Sequence, residues 1–297
     1  METLVDSSAP GEGQRSGVAP KKDTGNPSAI RGRPSILALF HDLLAAFKAP
    51  GFWLYGAWID TNLRYRSQAL GAFWMVAGTL AFVVILGTLY SRVLRSDSET
   101  YMAHVAVGFV LFMFLRQSLQ LSARLFKKNQ SMIQNGYVKY ADYVLRMFCG
   151  QLINLGYNLL VVIGAVLLTP VQASAAGYVL LLTVPLFFLA GLGSCFFLSV
   201  LGARYPDVTE LMQTLLRLFF FITPIIWIPS ASGKGAAIGG FLYANPFYYL
   251  IEIIRGPLVY GVVPWIEIGV VAAAIPIIWI LAALAYARAK PFVALWI

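Results

Sequence analysis

The chain has 297 residues, of which 59% are hydrophobic and 12% charged, and its formal net charge is +9. This composition is that of a helical membrane protein with several spans. The positive charge does not indicate a nucleic-acid partner, because the basic residues flank apolar stretches where anionic lipid lies, and no basic face with interleaved aromatics stands clear of them.

The N-terminal segment, residues 1–34, is rich in Gly, Ser, Pro and charged residues. It contains no apolar run that could serve as the core of a signal peptide. We therefore predict a disordered cytoplasmic tail at 1–34, followed by an interface region at 35–66 and one transmembrane domain at 67–297.

The interface region is predicted to be an amphipathic helix region that lies along the membrane surface. Ser35 can cap the first helix, and apolar residues recur at helical spacing until Pro50 and Gly51 interrupt it. A second piece places large aromatics beside acidic and basic residues, a mixture that suits the headgroup zone. The pattern fits a simple membrane anchor, and it also fits a lever that contacts a cytoplasmic partner.

Six apolar stretches reach bilayer length, since about 20 residues at a rise of 1.5 Å cross the roughly 30 Å hydrocarbon core. Stretches of this length must be helices, because every backbone amide has to be satisfied inside lipid. The predicted fold class is thus an all-α membrane protein with six transmembrane helices. They lie near residues 71–90, 102–121, 148–168, 178–202, 211–228 and 266–287.

Residues 229–264, between the fifth and sixth spans, are apolar but broken by several glycines and prolines. A full crossing here would leave the C-terminus outside. We predict instead a re-entrant pair of half-helices that dips in from the outer face, since irregular backbone at that depth needs protein or a water-filled cavity around it.

The distribution of Lys and Arg predicts the orientation of the chain. Sixteen of these residues fall on the side that carries both termini, and four fall on the other side. By the positive-inside rule, both termini and the basic loops are cytoplasmic.

No carboxylate lies in the interior of any predicted span, since Glu267 falls at the very start of the sixth. An ion-coupled transporter is therefore disfavoured, since it needs intramembrane acids or histidines. A membrane-embedded glycan enzyme would present paired carboxylates in a sizeable loop, and no loop here is large or acidic enough. The cysteines and histidines have no metal-ligand spacing, so no metal site is expected. A non-transporting membrane scaffold stays open on composition alone.

Five short motifs follow one another along the chain. They are Arg64-Tyr65-Arg66 with Leu70-Gly71 and Trp74, Asn135-Gly136-Tyr137-Val138-Lys139, Gly202-Ala203-Arg204-Tyr205-Pro206-Asp207-Val208, Thr223-Pro224-Ile225, and Asn245-Pro246 followed by Glu252 and Arg255-Gly256-Pro257-Leu258. In this order and spacing they resemble the motifs of the permeases of polysaccharide ABC exporters, those of O-antigen, capsule and teichoic acid. The second motif departs from that family's pattern, because the Phe-Pro that usually follows it is missing.

The chain has no phosphate-binding loop, because its only Gly-Lys pair, Gly233-Lys234, is followed by Gly235. The resemblance therefore implies a permease that is not itself an enzyme and holds no cofactor. ATP and Mg²⁺ would belong to two separate ABC ATPase subunits. Two copies of this chain would form a homodimer in the bacterial inner membrane.

The resemblance also implies which cytoplasmic residues contact the ATPase. The mixture of basic and apolar side chains in the loop after the second span suits a partner groove with a polar rim, although an ordinary basic inside loop would look the same. The expected coupling residues are Arg64, Tyr65, Arg66, Lys127, Lys128, Ile133, Asn135 and Tyr137.

The expected cargo is a lipid-linked polysaccharide that moves from cytoplasm to periplasm. We favour O-antigen on undecaprenyl diphosphate, the export step of lipopolysaccharide biosynthesis, and capsular polysaccharide or teichoic acid is the alternative. Arginines within the spans could bind the diphosphate, because guanidinium groups match phosphate oxygens; the alternative is that they extend to the lipid headgroups. Aromatic residues near the outer face could pack on the sugars; the alternative is that they form an interfacial aromatic belt. The candidate pore residues are Arg116, Arg217, Tyr243, Phe247, Tyr248, Tyr249 and Tyr260.

Two pairs of opposite charges are spaced three residues apart and are predicted to be structural. Arg204 and Asp207 would fix the turn before the fifth span, and Glu252 and Arg255 would pair on one helical face.

Overall fold

In the computed structural model of the chain, the residues described are 36–66, 71, 73–93, 100–136, 139–170, 174–228, 240 and 242–297. Every regular element within these ranges is a helix, as the predicted all-α fold class requires. The predicted disordered tail at 1–34 lies outside them.

Two short helices precede the long ones. Helix α1 covers Ala38–Lys48, a π-helical turn covers Gly51–Tyr55, and α2 covers Gly56–Arg66. The break between them is where Pro50 and Gly51 predict it. The proposed cap Ser35 lies outside the described residues, and Leu37 at the start of α1 makes no capping bond.

Helix α1 is apolar on two sides. Leu39 and Leu43 are buried against the rest of the chain, whereas Phe40 and Leu44 are exposed. A surface that is apolar and open suits contact with lipid, as expected for a helix at the membrane interface.

The longer helices follow in chain order. They are α3 (Phe73–Val93), α4 (Tyr101–Ala123), α7 (Tyr140–Leu168), α8 (Leu180–Arg204), α9 (Asp207–Ile222), α10 (Pro246–Arg255) and α11 (Trp265–Ala289). Short helices α5 (Leu125–Lys128), α6 (Gln130–Gln134) and α12 (Val293–Trp296) lie between or after them, a 3-10 turn Ala175–Val179 precedes α8, and a π-helical turn Gly256–Tyr260 extends α10.

Four helical stretches in the described part of the chain are long and apolar enough to cross a membrane: α4, α7, Ala175–Arg204 and α11. Helix α3 carries a shorter apolar stretch, Phe73–Leu89. The count of six spans therefore stays a prediction.

Helix α9 ends earlier than the predicted fifth span. It stops at Ile222, and the chain bends through residues 223–227. Pro224 explains the end, because a proline disfavours helical backbone in the residue before it and has no N–H to donate. The 16 residues of α9 rise about 24 Å, which is less than the roughly 30 Å hydrocarbon core.

The predicted re-entrant pair is described only in its second half. Helix α10 and its π-helical turn reach Tyr260, and Gly261 then reverses the chain with a left-handed φ of 63°. Most of the first half falls at 229–239, outside the described residues, so the pair stays a prediction.

Helix α4 lies at the centre of the bundle. Of the residues in its most apolar stretch, 72% are buried within the chain, whereas the corresponding share for α11 is 22%. It contacts α3, α7, α8, α9 and α10. These helices surround it, and α11 packs against α8. The outer helices expose apolar residues, which suits contact with lipid.

The bundle has two ends, which we call basal and distal. The basal end carries α1, α2, α5, α6 and α12, together with the start of α7 and the end of α11. The distal end carries the start of α4, the bend after α9, and α10 with its π-helical turn.

Candidate functional site

Helix α1 is fastened to the basal end of α11 by a buried acid. Asp42, which is 8% exposed, accepts hydrogen bonds from the Tyr286 hydroxyl at 2.7 Å and the Lys290 ammonium at 2.6 Å. A carboxylate taken out of water is costly unless it is paired and hydrogen-bonded, and these two donors meet that need. The two bonds join α1 to the C-terminal end of α11.

Helix α2 is fastened in the same way to the start of α7. The Arg146 guanidinium donates two hydrogen bonds of 2.7 Å to the two carboxylate oxygens of Asp60. It also lies 5.2 Å from the ring centre of Phe52 in the preceding π-helical turn. Gly56 makes room for it, because a Cβ there would come within 2.9 Å of Arg146 Nε. The two interface helices are thus attached to two different membrane helices.

The expected ATPase-coupling residues fall into three groups. Arg64, Arg66, Lys127, Lys128 and Asn135 are exposed at the basal end. Ile133 is only 5% exposed, because it packs in the core of its own chain, so it supports the loop from inside and is not presented to a partner. Tyr137 and the side chain of Tyr65 lie outside the described residues.

The predicted ion pair of Arg204 with Asp207 is wrong. Within the described ranges, the ion pairs are Asp60–Arg146, Glu252–Arg255 and Asp42–Lys290. The Arg204 guanidinium instead lies 5.1 Å from the ring centre of Tyr205 and 5.4 Å from that of Trp296. The C-terminal helix α12 supplies Trp296, so a cation over two aromatic faces replaces the local pair.

A buried polar cluster joins the bend after α9 to α10 at the distal end; we call it the distal clasp. Its members are Arg255, Glu252, His104, Thr223 and Asn245. Arg255, 1% exposed, donates to Glu252 Oε2 at 2.5 Å and to the Pro224 carbonyl at 2.5 Å. The Glu252–Arg255 pair is therefore formed, as the spacing predicts, but it is buried and reaches beyond its own helix.

Asn245 supplies the second half of the distal clasp. Its side-chain oxygen accepts from the backbone N–H of Phe247 at 2.9 Å, which caps α10. Its amide nitrogen donates to the Thr223 hydroxyl at 2.7 Å. Both residues are 1% exposed. The Thr-Pro and Asn-Pro motifs are thus held together by a buried hydrogen bond between their first residues.

His104 connects the distal clasp to Tyr260. Arg255 lies 3.3 Å from Nε2, and the Tyr260 oxygen lies 2.5 Å from Nδ1. An arginine can only donate, so Nε2 accepts and the neutral ring carries its proton on Nδ1, which donates to the tyrosine. Burial raises the pKa of Tyr260, although Arg255 acts in the opposite direction, so the hydroxyl stays protonated at neutral pH.

The other distal aromatics are only partly gathered. Tyr248 contacts Tyr243 and Tyr249 edge-on, with ring centres 6.1 Å and 5.3 Å apart. Burial, helped by Glu252 and Glu267, raises the pKa of Tyr248, and its hydroxyl lies 3.3 Å from Glu267. Tyr243 is 62% exposed, whereas Phe247 is 5% exposed and packs in the core. Phe247 therefore does not lie on the accessible surface.

The two arginines within predicted spans have different surroundings. Arg116 is partly buried in α4; its Nη1 reaches the Met113 sulfur at 3.9 Å, and its Nε has no hydrogen-bond partner among the described residues. Arg217 is exposed on α9. It belongs to a single exposed face at spacings of three and four, formed by Asp207, Glu210, Leu211, Thr214, Arg217, Leu218 and Phe221.

Several residues that no sequence motif singled out form polar contacts in the structure, among them Asp42, Asp60 and His104. Asp42 gave a signal, because it falls on the face of α1 that also holds Leu39 and Leu43. An acid on an apolar face calls for a buried partner. Its partners on α11 could not be found from local spacing.

Comparison with known proteins assigns most of these elements to one family. The family model described as ABC-2 type transporter matches residues 54–259, which is more than half of the chain. The matched region runs from the π-helical turn before α2 to the one after α10. A search of curated proteins gave no match.

Proposed function

Because the chain belongs to the ABC-2 type transporter family, we propose that it is the permease subunit of an exporter for a lipid-linked polysaccharide. The family makes it a multi-pass membrane component of an ABC transporter that works with ATPase subunits. Our proposal adds the cargo, O-antigen on undecaprenyl diphosphate, and the direction from cytoplasm to periplasm. It also places the chain in the inner membrane with both termini in the cytoplasm.

The observation that carries the pore proposal is the exposed face of α9. A helix side that faces only lipid is not expected to carry Thr214 and Arg217 within the predicted span, since polar and charged groups are costly in hydrocarbon. Asp207 and Glu210 continue the same side before the span begins, and Leu211, Leu218 and Phe221 lie between these residues. The same side is well suited to a water-filled path lined by a second copy of the chain. We therefore place α9 from each of two copies along the pore.

In this pore Arg217 meets the diphosphate of the cargo. Its guanidinium is exposed and forms no ion pair with a described residue. A planar fork of donors matches phosphate oxygens. Arg116 is the weaker candidate, because it is partly buried inside one copy.

The glycan would pass the distal aromatics after the diphosphate. Tyr243, Tyr248, Tyr249 and Tyr260 offer ring faces and hydroxyl groups, and aromatic packing tolerates many sugars. Weak, repeated contacts allow a polymer to advance, since tight binding at one position would hold it there. Phe247 supports this group from the core.

The basal end would receive the motion of the ATPases. Arg66, Lys127 and Asn135 offer an exposed surface to the partner, whereas Arg64 and Lys128 line a cleft between the helices. The Asp42 and Asp60 attachments then carry movement of α1 and α2 into α11 and α7. Interface helices attached to two membrane helices are suited to change the spacing between spans.

Deletion of the gene in its Gram-negative host tests the proposed cargo. We expect surface O-antigen to disappear and the lipid-linked glycan to accumulate on the cytoplasmic side, with recovery on complementation. Arg217→Gln at normal permease levels should complement poorly, whereas Arg124→Gln, an exposed basic residue outside the proposed pore, should complement fully.

Other results of this experiment would change the assignment. Loss of capsule or teichoic acid with O-antigen intact would assign the alternative cargo. Unchanged surface glycans of every kind would favour the scaffold. Full complementation by Arg217→Gln would remove that residue from the pore.

A further inference from the structure

A cleft enters the basal end of the bundle between α2, α3, α4 and α7; we call it the basal cleft. It consists of two adjoining cavities of about 310 Å³ and about 370 Å³. Met75, Gln151 and Asn154 line both. Each volume lies at the lower end of the roughly 300–1,000 Å³ typical of ligand sites.

The mouth of the basal cleft is positive. Arg64, Lys128 and Arg146 line it together with a single acid, Asp60. Arg146 is engaged with Asp60 through two hydrogen bonds. Arg64 and Lys128 are exposed and form no ion pair with any residue in the described ranges, so two cations are free to meet an anion.

The interior of the basal cleft carries a row of carboxamides. Gln151, Asn154 and Asn158 recur at spacings of three and four on α7, and Gln117 faces them from α4. Asn154 donates to Gln117 Oε1 at 2.9 Å, and Asn158 donates to Asn154 Oδ1 at 3.1 Å. A row of this kind offers both donors and acceptors at membrane depth.

Two side-chain oxygens of the row, those of Gln151 and Asn158, lack a hydrogen-bond partner among the described residues. Gln151 is 4% exposed, and its side-chain oxygen is buried without a hydrogen bond to a described residue. Buried polar groups in native proteins are nearly always hydrogen-bonded, so an unpartnered amide that faces a cavity indicates a ligand. Ligand hydroxyl groups would satisfy it.

We propose that the basal cleft binds the head of a lipid that carries phosphate followed by hydroxyl-bearing groups. Phosphate lies between Arg64 and Lys128, hydroxyls bond the carboxamide row, and the tail stays in the surrounding lipid. This inference rests on the proposed function, since it identifies the cleft as the place where a lipid-linked saccharide is first held. An anionic phospholipid with a glycerol head shares the chemistry, and the experiment separates the two.

The test is lipid binding by the full chain, purified with its ATPase partner and held in nanodiscs of neutral phosphatidylcholine. The probes are a polyprenyl diphosphate disaccharide and phosphatidylglycerol. Lys128→Gln removes a charge at the mouth, and Gln151→Leu removes the unpartnered amide. The matched controls are Arg124→Gln and Gln120→Leu, which lie outside the cleft.

We expect Lys128→Gln and Gln151→Leu each to weaken disaccharide-lipid binding about tenfold, the scale of a hydrogen bond to a charged or buried group. The controls should stay within about twofold of the wild type. Gln151→Leu should also raise the thermal midpoint of the unliganded protein, because it removes a buried group with no partner. Lys128 is on the surface, so its variant folds in any case.

Equal binding by the wild type and both cleft variants would overturn the inference and leave the proposed function intact. A wild type that binds neither lipid would overturn the inference together with the proposed cargo. Phosphatidylglycerol binding that falls in both variants, with no disaccharide-lipid binding, would assign the cleft to phospholipid and contradict its role in cargo loading.

Discussion

Arg255 gives the sharpest prediction, because four polar contacts converge on a side chain that is 1% exposed. It donates twice to Glu252 and once to the Pro224 carbonyl, and it lies 3.3 Å from His104. Arg255→Met keeps most of the apolar stem, so the cavity left behind is small. The loss is mainly electrostatic.

Breaking a buried ion pair from one side costs about 3–5 kcal/mol, because the other charge stays behind uncompensated. The Glu252 side chain is 17% exposed, so water screens its charge in part. We therefore expect Arg255→Met to lower the free energy of unfolding by about 3 kcal/mol, the low end of that range. The measurement is an SDS titration of the purified chain in mixed micelles.

A double variant separates charge from packing. Glu252→Met together with Arg255→Met leaves no unpaired charge and should be more stable than Arg255→Met alone by at least about 1 kcal/mol. A loss below about 1 kcal/mol for the single variant, or a double variant no more stable than the single one, would refute the reasoning.

Three further predictions follow from the contacts at the two ends of the bundle. Asp60→Asn should lower stability by under about 1 kcal/mol, because the Asp60 side chain is 49% exposed and water screens the pair with Arg146. The variant should nevertheless reduce ATP-driven export, and exchanging the two charges should restore it; an unaffected export rate in the single variant would dismiss the attachment. Asn245→Ala should cost about 2 kcal/mol in SDS titration, from the cap and the buried hydrogen bond together. Asn245→Ser keeps a neutral capping oxygen and should cost less; equal losses in the two variants would contradict the capping role. Gly202→Ala should prevent normal folding, since its Cβ would come within 1.7 Å of a backbone oxygen of α4. In Gly191→Ala the new Cβ would lie 3.5 Å from its nearest neighbour, so this variant should express and elute from a size-exclusion column like the wild type. Indistinguishable elution profiles for the two variants would contradict this packing.

Hydropathy was sufficient to predict α4, α7, α8 and α11, because the thickness of the bilayer sets the length of a spanning helix and an apolar stretch of that length is visible in the local sequence. It overestimated the length of α9, where Pro224 ends the helix although the residues after it are still apolar. The two-part interface region was also predictable, since Pro50 and Gly51 mark its break in the sequence.

The polar contacts were predictable only where both partners are neighbours in the chain. Glu252 and Arg255 are three residues apart, and their pair was found. Arg204 was assigned to Asp207 by the same rule, but its rings come in part from Trp296, which only tertiary packing brings near. Asp42 and Lys290 pair across the chain, and no local pattern could connect them.

The basal cleft was predictable from the sequence only in part. The spacing of Gln151, Asn154 and Asn158 places three carboxamides on one side of a helix and could have been noticed. Their meaning depends on Gln117, because only the alignment of α4 with α7 shows that the row is shared. The positive mouth likewise joins Arg64 and Lys128 from separate elements.

If this chain is the membrane half of an ATP-driven exporter, it should co-purify with its ATPase. The chain is extracted in mild detergent from its native host and the bound proteins are identified by mass spectrometry. We expect an ATPase with a phosphate-binding loop in a 1:1 ratio with the chain, as two copies of each would give. A chain that stays folded and elutes without any ATPase would contradict it.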